Sequence, residues 1–175
     1  MNNPFARLPE VDSFIVTSKQ IAEGERLNAA QLSGIFGIEG GLDQSPQLSW
    51  SGFPKETKSF AITCFDPDAP TQSGFWHWSV VNIPLETTEI EAGAGEIDGK
   101  LLPKGSFQLK NDAGIKRFIG AAPPEGHGEH RYFFVVHALD VESLEVDDNA
   151  TPAYLNFVIS GHILARAVIV ATYER

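Results

Sequence analysis

"TCFDPDAPTQSGFWHWSVVNIP", residues 63–84, is the stretch that decides the fold. The aromatic and β-branched residues at both of its ends are typical of buried strands. Between them stand the polar segment DPDAP and, seven residues later, His77. Proline fixes its own φ and restricts the residue before it, so DPDAP predicts a rigid loop between two strands. Rigid loops at strand ends often carry the groups that bind ligands.

A second stretch, "AAPPEGHGEHRYFFVVHAL" (121–139), repeats this pattern, because a Pro/Gly-rich loop is again followed by a strand that begins with a histidine. Side chains alternate between the two faces of a strand. The alternation predicts one face of this strand with His130, Tyr132, Phe134 and Val136, and the opposite face with Arg131, Phe133, Val135 and His137. In the first stretch it predicts one face with Phe75, His77, Ser79 and Val81, and the other with Trp76, Trp78 and Val80.

The rest of the chain predicts a mainly β protein, an antiparallel β-sandwich of Greek-key type with one or two peripheral helices. Predicted strands cover 13–18, 46–50, 59–65, 76–83, 107–111, 131–139 and 168–173. Thr151 as N-cap, Pro152 at the first helical position and apolar residues at Leu155, Val158, Ile159 and Ile163 predict a helix near the C-terminus. We expect a single domain over 1–175, with 1–12 as an extended N-terminal arm.

Composition excludes several classes of protein. The chain has 175 residues, 42% hydrophobic and 21% charged, which is typical of a globular domain. Its formal charge of −10 and lack of a basic cluster argue against nucleic-acid binding. The single cysteine, Cys64, excludes an internal disulfide and is predicted to be buried. No transmembrane or signal segment is evident, so we expect a cytoplasmic protein.

Polar side chains in the two long motifs suggest a small anion site. An aspartate beside a histidine favours the imidazolium ion, and two imidazoles with a tyrosine hydroxyl and loop amides suit a phosphate or carboxylate. Zinc bound by His77, His130 and an aspartate is disfavoured because the spacing of metal ligands is absent, so neither a metal nor a cofactor is expected. His137 and His162 are interpreted as structural, and His127 as a solvated loop residue.

Together the two motifs resemble the phosphatidylethanolamine-binding protein family, also called Raf kinase inhibitor-like proteins, and in particular its bacterial branch. The resemblance extends to "SPQLSWSGFP" (45–54) and "GHILARAVIVATYE" (161–174). It implies a β-sandwich with an anion pocket where the motif loops meet, and a cis bond at Ala69–Pro70. Asp68 is expected to brace the loop. The ligand-binding residues that it implies are Asp66, Ala69, Pro70, His77, Ile119, Gly120, Ala122, Pro123, Pro124, His130 and Tyr132.

The function expected from this resemblance is non-enzymatic binding or regulation, with phosphate, phosphoethanolamine or a phospholipid head group as the anionic ligand. An alternative is an inhibitor or modulator that docks on a protein kinase or a serine protease. A hydrolase using His77, His130 and Asp66 is the weaker alternative, because no nucleophile with its own base is evident. A homodimer is left open. Phe118 stands where a tyrosine is common in the family, and Ala122 where glycine is common.

Overall fold

A computed structural model describes residues 3–175, which form nine strands, one α-helix and a short 3-10 turn at Ala29–Gln31. The helix, α1, spans Pro152–Ile159. The strands, numbered along the chain, are β1 (Asp12–Ser13), β2 (Ile15–Thr17), β3 (Leu48–Ser51), β4 (Ser59–Asp66), β5 (Phe75–Pro84), β6 (Glu89–Ile90), β7 (Phe107–Gln108), β8 (His130–Leu139) and β9 (Ile163–Tyr173).

Two sheets face each other across the main core. The larger sheet has the order β1-β9-β8-β4-β5-β7, and the smaller has β2-β3-β6. All pairs are antiparallel except β1 with β9. Aromatic side chains join the sheets: Trp50 of β3 packs edge-to-face on Phe60 of β4, with ring centroids 5.4 Å apart. The mainly β sandwich predicted from the sequence is confirmed.

Strand alternation predicts the faces of β8 correctly but fails in β5. Tyr132, Phe134 and Val136 point into the core between the sheets, as expected. In β5, Trp78 pairs with Cys64 and Trp76 with Phe65, which leaves one extra residue, His77, unpaired between them. This is a β-bulge, and a bulge breaks the two-residue period. Trp78 therefore lies in the core whereas Trp76 packs on Phe65, so the prediction that both tryptophans share a face is wrong.

The C-terminal helix begins as its sequence predicts. The Thr151 side chain accepts a hydrogen bond from the backbone N–H of Tyr154 at 3.1 Å, which caps the first turn. Leu155 and Ile159 are buried against the face of the large sheet that is turned away from the small sheet, called here the outer face. Ile163, predicted in the helix, instead begins β9, because the helix ends at Ile159. Among residues 3–175, no helix is long and apolar enough to cross a bilayer.

The N-terminal arm lies on the outer face. Residues 3–11 contain neither a helix nor a strand, and residues 1–2 of the predicted arm lie outside the described residues. The ring of Phe5 packs edge-to-face on Phe133 of β8, with centroids 5.8 Å apart. Arg166 of β9 donates a hydrogen bond from Nη1 to the carbonyl oxygen of Pro9 at 3.0 Å. The arm is thus held against the large sheet by both apolar and polar contacts.

Candidate functional site

A cavity of about 200 Å³ opens at the end of the sandwich where β4 ends and where β5 and β8 begin. The two Pro-rich loops form its walls. Its lining includes the predicted residues Asp66, Ala69, Pro70, His77, Ala122, Pro123, Pro124, His130 and Tyr132. The loops and histidines that the sequence analysis singled out, 42 or more residues apart along the chain, thus meet around one space.

Two predicted residues, Ile119 and Gly120, lie behind the cavity wall and do not line it. The backbone carbonyl of Ile119 accepts a hydrogen bond from Nδ1 of His77 at 2.8 Å. The backbone N–H of Gly120 donates to Oδ1 of buried Asp43 at 2.8 Å. A Cβ at Gly120 would lie 2.4 Å from the backbone of Leu32, so only glycine allows this close approach. Both residues support the site without contacting its space.

Three further residues line the cavity that were not among the predicted ligand-binding residues: Phe36, Thr71 and Phe75. Thr71 and Phe75 lie within the first motif, so its loop alone could have indicated them. Phe36 comes from a distant part of the chain, and its ring packs edge-to-face on Phe75 with centroids 6.3 Å apart. Its presence in the site follows only from the tertiary structure.

The DPDAP loop is held by its first aspartate. Oδ1 of Asp66 accepts hydrogen bonds from the backbone N–H groups of Asp68 at 2.8 Å and of Ala69 at 3.0 Å. The prediction of a cis bond at Ala69–Pro70 is wrong, since that bond is trans. The loop is instead tightened by this side-chain-to-backbone turn. Gly74, at the end of the loop, has φ +69° and lies too close to Phe65 for any side chain.

Asp68 braces the loop against β8, as expected. Its Oδ2 accepts from Nε of Arg131 at 2.7 Å, and its Oδ1 accepts from Nη2 at 2.7 Å. The backbone N–H of Arg131 adds a third bond to Oδ2 at 3.0 Å. The side-chain hydrogen bond to Arg131 holds the pKa of Asp68 below its usual value. This two-pronged ion pair joins the first motif to the second.

Three side chains form a hydrogen-bonded chain along one wall: Asp66, His130 and His127. Oδ2 of Asp66 lies 2.7 Å from Nδ1 of His130, and both side chains are buried. Nε2 of His130 lies 2.7 Å from Nδ1 of His127. His127 is an exposed loop residue, as predicted, and its ring also contacts His130. The carboxylate of Asp66 accepts a hydrogen bond from the Nδ1–H group of His130, and His127 contacts the other ring nitrogen of His130.

His77 differs from His130 because one of its ring nitrogens has no partner. A carbonyl oxygen can only accept, so Nδ1 of His77 carries the proton that it donates to Ile119. Nε2 is buried without a hydrogen bond and is an acceptor while the ring is neutral. Burial lowers the pKa of His77 below its usual value, and the bond to Ile119 and the charge of Asp66 oppose that effect.

Tyr132 stands against His77, their ring centroids 5.2 Å apart. Burial, and then the charge of Asp66, raise the pKa of the Tyr132 hydroxyl far above its usual value, so the group stays protonated and can donate. Cys64 lies on the same strand as Asp66 and is fully buried. Burial and Asp66 raise the pKa of the thiol, which keeps it uncharged. Within the described chain, no three His, Cys, Asp or Glu side chains are grouped to hold a metal ion.

Comparisons with known proteins match almost the whole chain to one family. A family model described as phosphatidylethanolamine-binding protein matches residues 17–174. The UPF0098 protein YbcL of Escherichia coli K12 is 47% identical over 162 residues, which cover 93% of this chain and 88% of YbcL. YbhB of the same organism is 43% identical over 158 residues, covering 90% of this chain and 98% of YbhB.

Solved structures show the same relationship. The crystal structure of E. coli YbcL, described as a new member of the mammalian PEBP family, superimposes with a TM-score of 0.90 at 46% identity and covers 93% of this chain and 99% of its own. A carboxypeptidase Y inhibitor in complex with its cognate proteinase shares the fold alone, with a TM-score of 0.54 at 17% identity, covering 93% and 84% of the two chains. Because the family match covers almost the whole chain, this protein belongs to the phosphatidylethanolamine-binding protein family.

Proposed function

We propose that this protein is a non-enzymatic binding or regulatory protein that takes a phosphate-bearing or other anionic small ligand into the cavity lined by Asp66, His77, His130 and Tyr132. The observation that carries the proposal is the buried, unpartnered Nε2 of His77. Nearly all buried polar atoms in proteins have a hydrogen-bond partner. An unpartnered nitrogen on a residue that lines a cavity therefore suggests that a ligand supplies the missing partner. Tyr132, which lines the same cavity and packs edge-to-face on His77, can add a hydroxyl donor.

Binding of an anion requires a proton on His77. In the neutral ring Nε2 is an acceptor and repels an anionic oxygen, whereas the imidazolium donates a charge-assisted hydrogen bond to it. The pKa of His77 is lowered by burial, so the empty site holds the neutral ring near pH 7. An anion at Nε2 raises that pKa, and anion binding is therefore coupled to proton uptake.

The wall that contains His130 resembles part of a catalytic triad but has no nucleophile. Asp66 and His130 have the geometry of an acid–base pair, yet the group that meets Nε2 of His130 is His127. The hydroxyl of Thr71 donates to the carbonyl of Gly74, and Cys64 is buried as a thiol. A hydrolase that forms a covalent intermediate needs a side-chain nucleophile within reach of its base, so these contacts support binding over hydrolysis by that mechanism.

An inhibitor of a protein kinase or protease is not part of this proposal. The carboxypeptidase Y inhibitor is similar to this chain in fold at 17% identity, which says nothing about a shared partner. The same cavity could be used by a ligand on a macromolecule, but its volume of about 200 Å³ suits a small anionic group.

Isothermal titration calorimetry at pH 6 and pH 8 tests the proposal. Sulfate and phosphoethanolamine are the two ligands; sulfate keeps its charge over this range, whereas phosphate groups titrate near pH 6. Uptake of one proton per anion predicts up to roughly tenfold tighter sulfate binding per pH unit below neutrality. His77→Ala abolishes the binding, and His162→Ala at the surface serves as the control.

Equal sulfate affinity at both pH values, or no measurable binding by the wild-type protein, would contradict the proposed function. Turnover is measured on the same samples with p-nitrophenyl phosphate and p-nitrophenyl acetate. If the wild-type protein hydrolyses either compound and His130→Ala does not, the Asp66–His130 pair acts in catalysis. The proposed binding function would then be wrong, and the protein would be an enzyme.

A further inference from the structure

A second cavity, of about 180 Å³, lies on the outer face of the large sheet. It shares no lining residue with the cavity at the end of the sandwich. Four aromatic side chains contribute to its wall: Phe5, Phe65, Trp76 and Phe133. The rings of Phe65 and Trp76, tilted by 35° with centroids 4.3 Å apart, form one side. A concave space lined by aromatic rings in this way favours an apolar, flat ligand.

Three polar side chains line this mainly apolar space: Thr63, His137 of β8 and Asn156, whose Nδ2 donates to the carbonyl oxygen of Pro152. His137 is buried, and its Nε2 lies 3.0 Å from the hydroxyl oxygen of Thr63 on the neighbouring strand. Its Nδ1 is buried without any hydrogen-bond partner. Interpreting His137 as a fully satisfied core histidine was therefore only half right. A hydroxyl can either donate or accept, so Thr63 allows Nδ1 of the neutral ring to be an acceptor or a donor.

Charge around His137 keeps its ring neutral. Arg166 faces it directly across β8 and β9. Burial, and then the positive charge of Arg166, lower the pKa of His137 to about 3. The ring therefore offers a neutral hydrogen-bonding nitrogen at physiological pH and carries no charge for an anion.

The N-terminal arm forms the roof of this cavity. Pro4, Phe5 and Leu8 line it from the arm's side. Phe5 is held by its edge-to-face contact with Phe133 and by the guanidinium of Arg166, which lies 5.5 Å from its ring centroid. A segment without a helix or strand can move away from the sheet at lower cost than a strand can, so the roof provides a route of entry.

We propose that this outer-face cavity binds a small neutral aromatic molecule bearing a single hydroxyl or N–H group, with phenol as the simplest example. The aromatic walls bury the ring, and the unpartnered nitrogen of His137 bonds the polar group. A cavity of about 150 Å³ with apolar walls is large enough to hold benzene. The volume of about 180 Å³ is therefore sufficient for a ring with one substituent.

Titration of the full-length, 15N-labelled chain with phenol and with toluene tests this site by NMR. The two molecules have nearly the same shape, and only phenol can bond to His137. Phenol is expected to give saturable shifts of the Trp76 indole and of Nδ1 of His137. Toluene shifts the Trp76 indole alone. Wild-type spectra of the His77 ring stay unchanged, because the two cavities are separate.

A filled-cavity variant gives the matched control. Val135→Phe places a ring in the space and removes the phenol shifts, and Leu8→Trp at the exposed edge provides a second filled variant if the first fails to fold. Thr17→Val, on the small sheet, leaves phenol binding as in the wild-type protein.

Three results would overturn the proposal: binding of toluene without phenol, no saturable shift from either, or phenol shifts confined to the His77 cavity. Tighter binding of benzoate than of phenol would also contradict the proposal, because the polar group of the ligand would then be held by the charge of Arg166 and not by His137.

Discussion

His77 and His137 are both buried histidines with one hydrogen-bonded and one unpartnered ring nitrogen. They differ in the sign of the charge that acts on them, which is negative at His77 and positive at His137. Burial lowers the pKa of each. At His77 the charge of Asp66 opposes this effect, whereas at His137 the charge of Arg166 adds to it. The first ring can be protonated when an anion arrives, and the second stays neutral. The nearest charged neighbour, more than the histidine itself, decides which class of ligand each cavity favours.

The hydrogen bonds of the two histidines differ in the same way. A backbone carbonyl places the proton of His77 on Nδ1, so its free nitrogen has a defined role. The partner of His137 is a hydroxyl, which leaves either ring nitrogen free to carry the proton. On the functions proposed above, the His77 cavity would take an anion whose binding places a proton on Nε2. The His137 cavity would take a neutral group that either donates or accepts a hydrogen bond.

Removal of Asp66 is expected to have the largest effect on stability. It also deletes the negative charge that distinguishes the surroundings of His77 from those of His137. Asp66→Ala leaves three donors without their acceptor: the ring of His130 and the backbone N–H groups of Asp68 and Ala69. Loss of a buried charged acceptor predicts destabilisation of about 3 kcal/mol. Urea unfolding measures it.

Asp140→Ala is the matched control for that experiment. Asp140 also bonds a histidine, His162, at 2.9 Å, but the two side chains are about half exposed. Exposed pairs contribute about 0–1 kcal/mol, so the control should unfold at nearly the wild-type urea concentration. Similar losses in both variants would mean that Asp66 does not hold the loop as described.

A smaller effect concerns stability at acid pH. The folded-state pKa of His137, about 3, lies below its usual value of 6.5, so the unfolded chain binds a proton that the folded chain does not. The stability that the neutral His137 ring contributes is fully present above pH 6.5, and it is lost as the pH falls toward the folded-state pKa. The free energy of unfolding falls with a limiting slope of about 1.4 kcal/mol per pH unit, which amounts to about 1.6 kcal/mol between pH 6.5 and pH 5.

His137→Gln should remove that part of the pH dependence, as measured by urea unfolding at several pH values. His162→Gln keeps His137 and should keep its slope, which makes it the control. His77 shifts in the same direction and remains in both variants, so a reduced slope in His137→Gln reports on His137 alone. An unchanged slope would show that its ring is protonated in the folded protein.

The smallest expected effect is the pH dependence of phenol binding. Since the pKa of His137 is about 3, its ring is neutral throughout pH 5–8, and phenol affinity should change by less than about twofold. Sulfate binding at the other cavity should change far more over the same range. NMR titrations at pH 5, 6.5 and 8 compare the two. Equal pH dependence of both ligands would remove the distinction between the sites.

Much of the fold was predictable because the signals were local. The strands around Thr63 and His137 are rich in β-branched and aromatic residues, and the Thr151–Pro152 pair marks the helix start. The bulge at His77 was not predictable, since it depends on how β5 pairs with β4. The same holds for Ile119 and Gly120, which were expected in the cavity wall but lie behind it, and for the trans bond at Ala69–Pro70.

The sequence by itself determined the elements, the two rigid loops and the family, because proline geometry, side-chain alternation and motif order are properties of the chain. Only the tertiary structure decided which nitrogen of each histidine is free. Asp66 meets His130 across 64 positions, and Arg166 meets His137 across 29. Charge and burial at a side chain are set by such distant neighbours, and their effects on a pKa fall off within several ångströms. The chemistry of the two histidines is therefore a property of the folded protein.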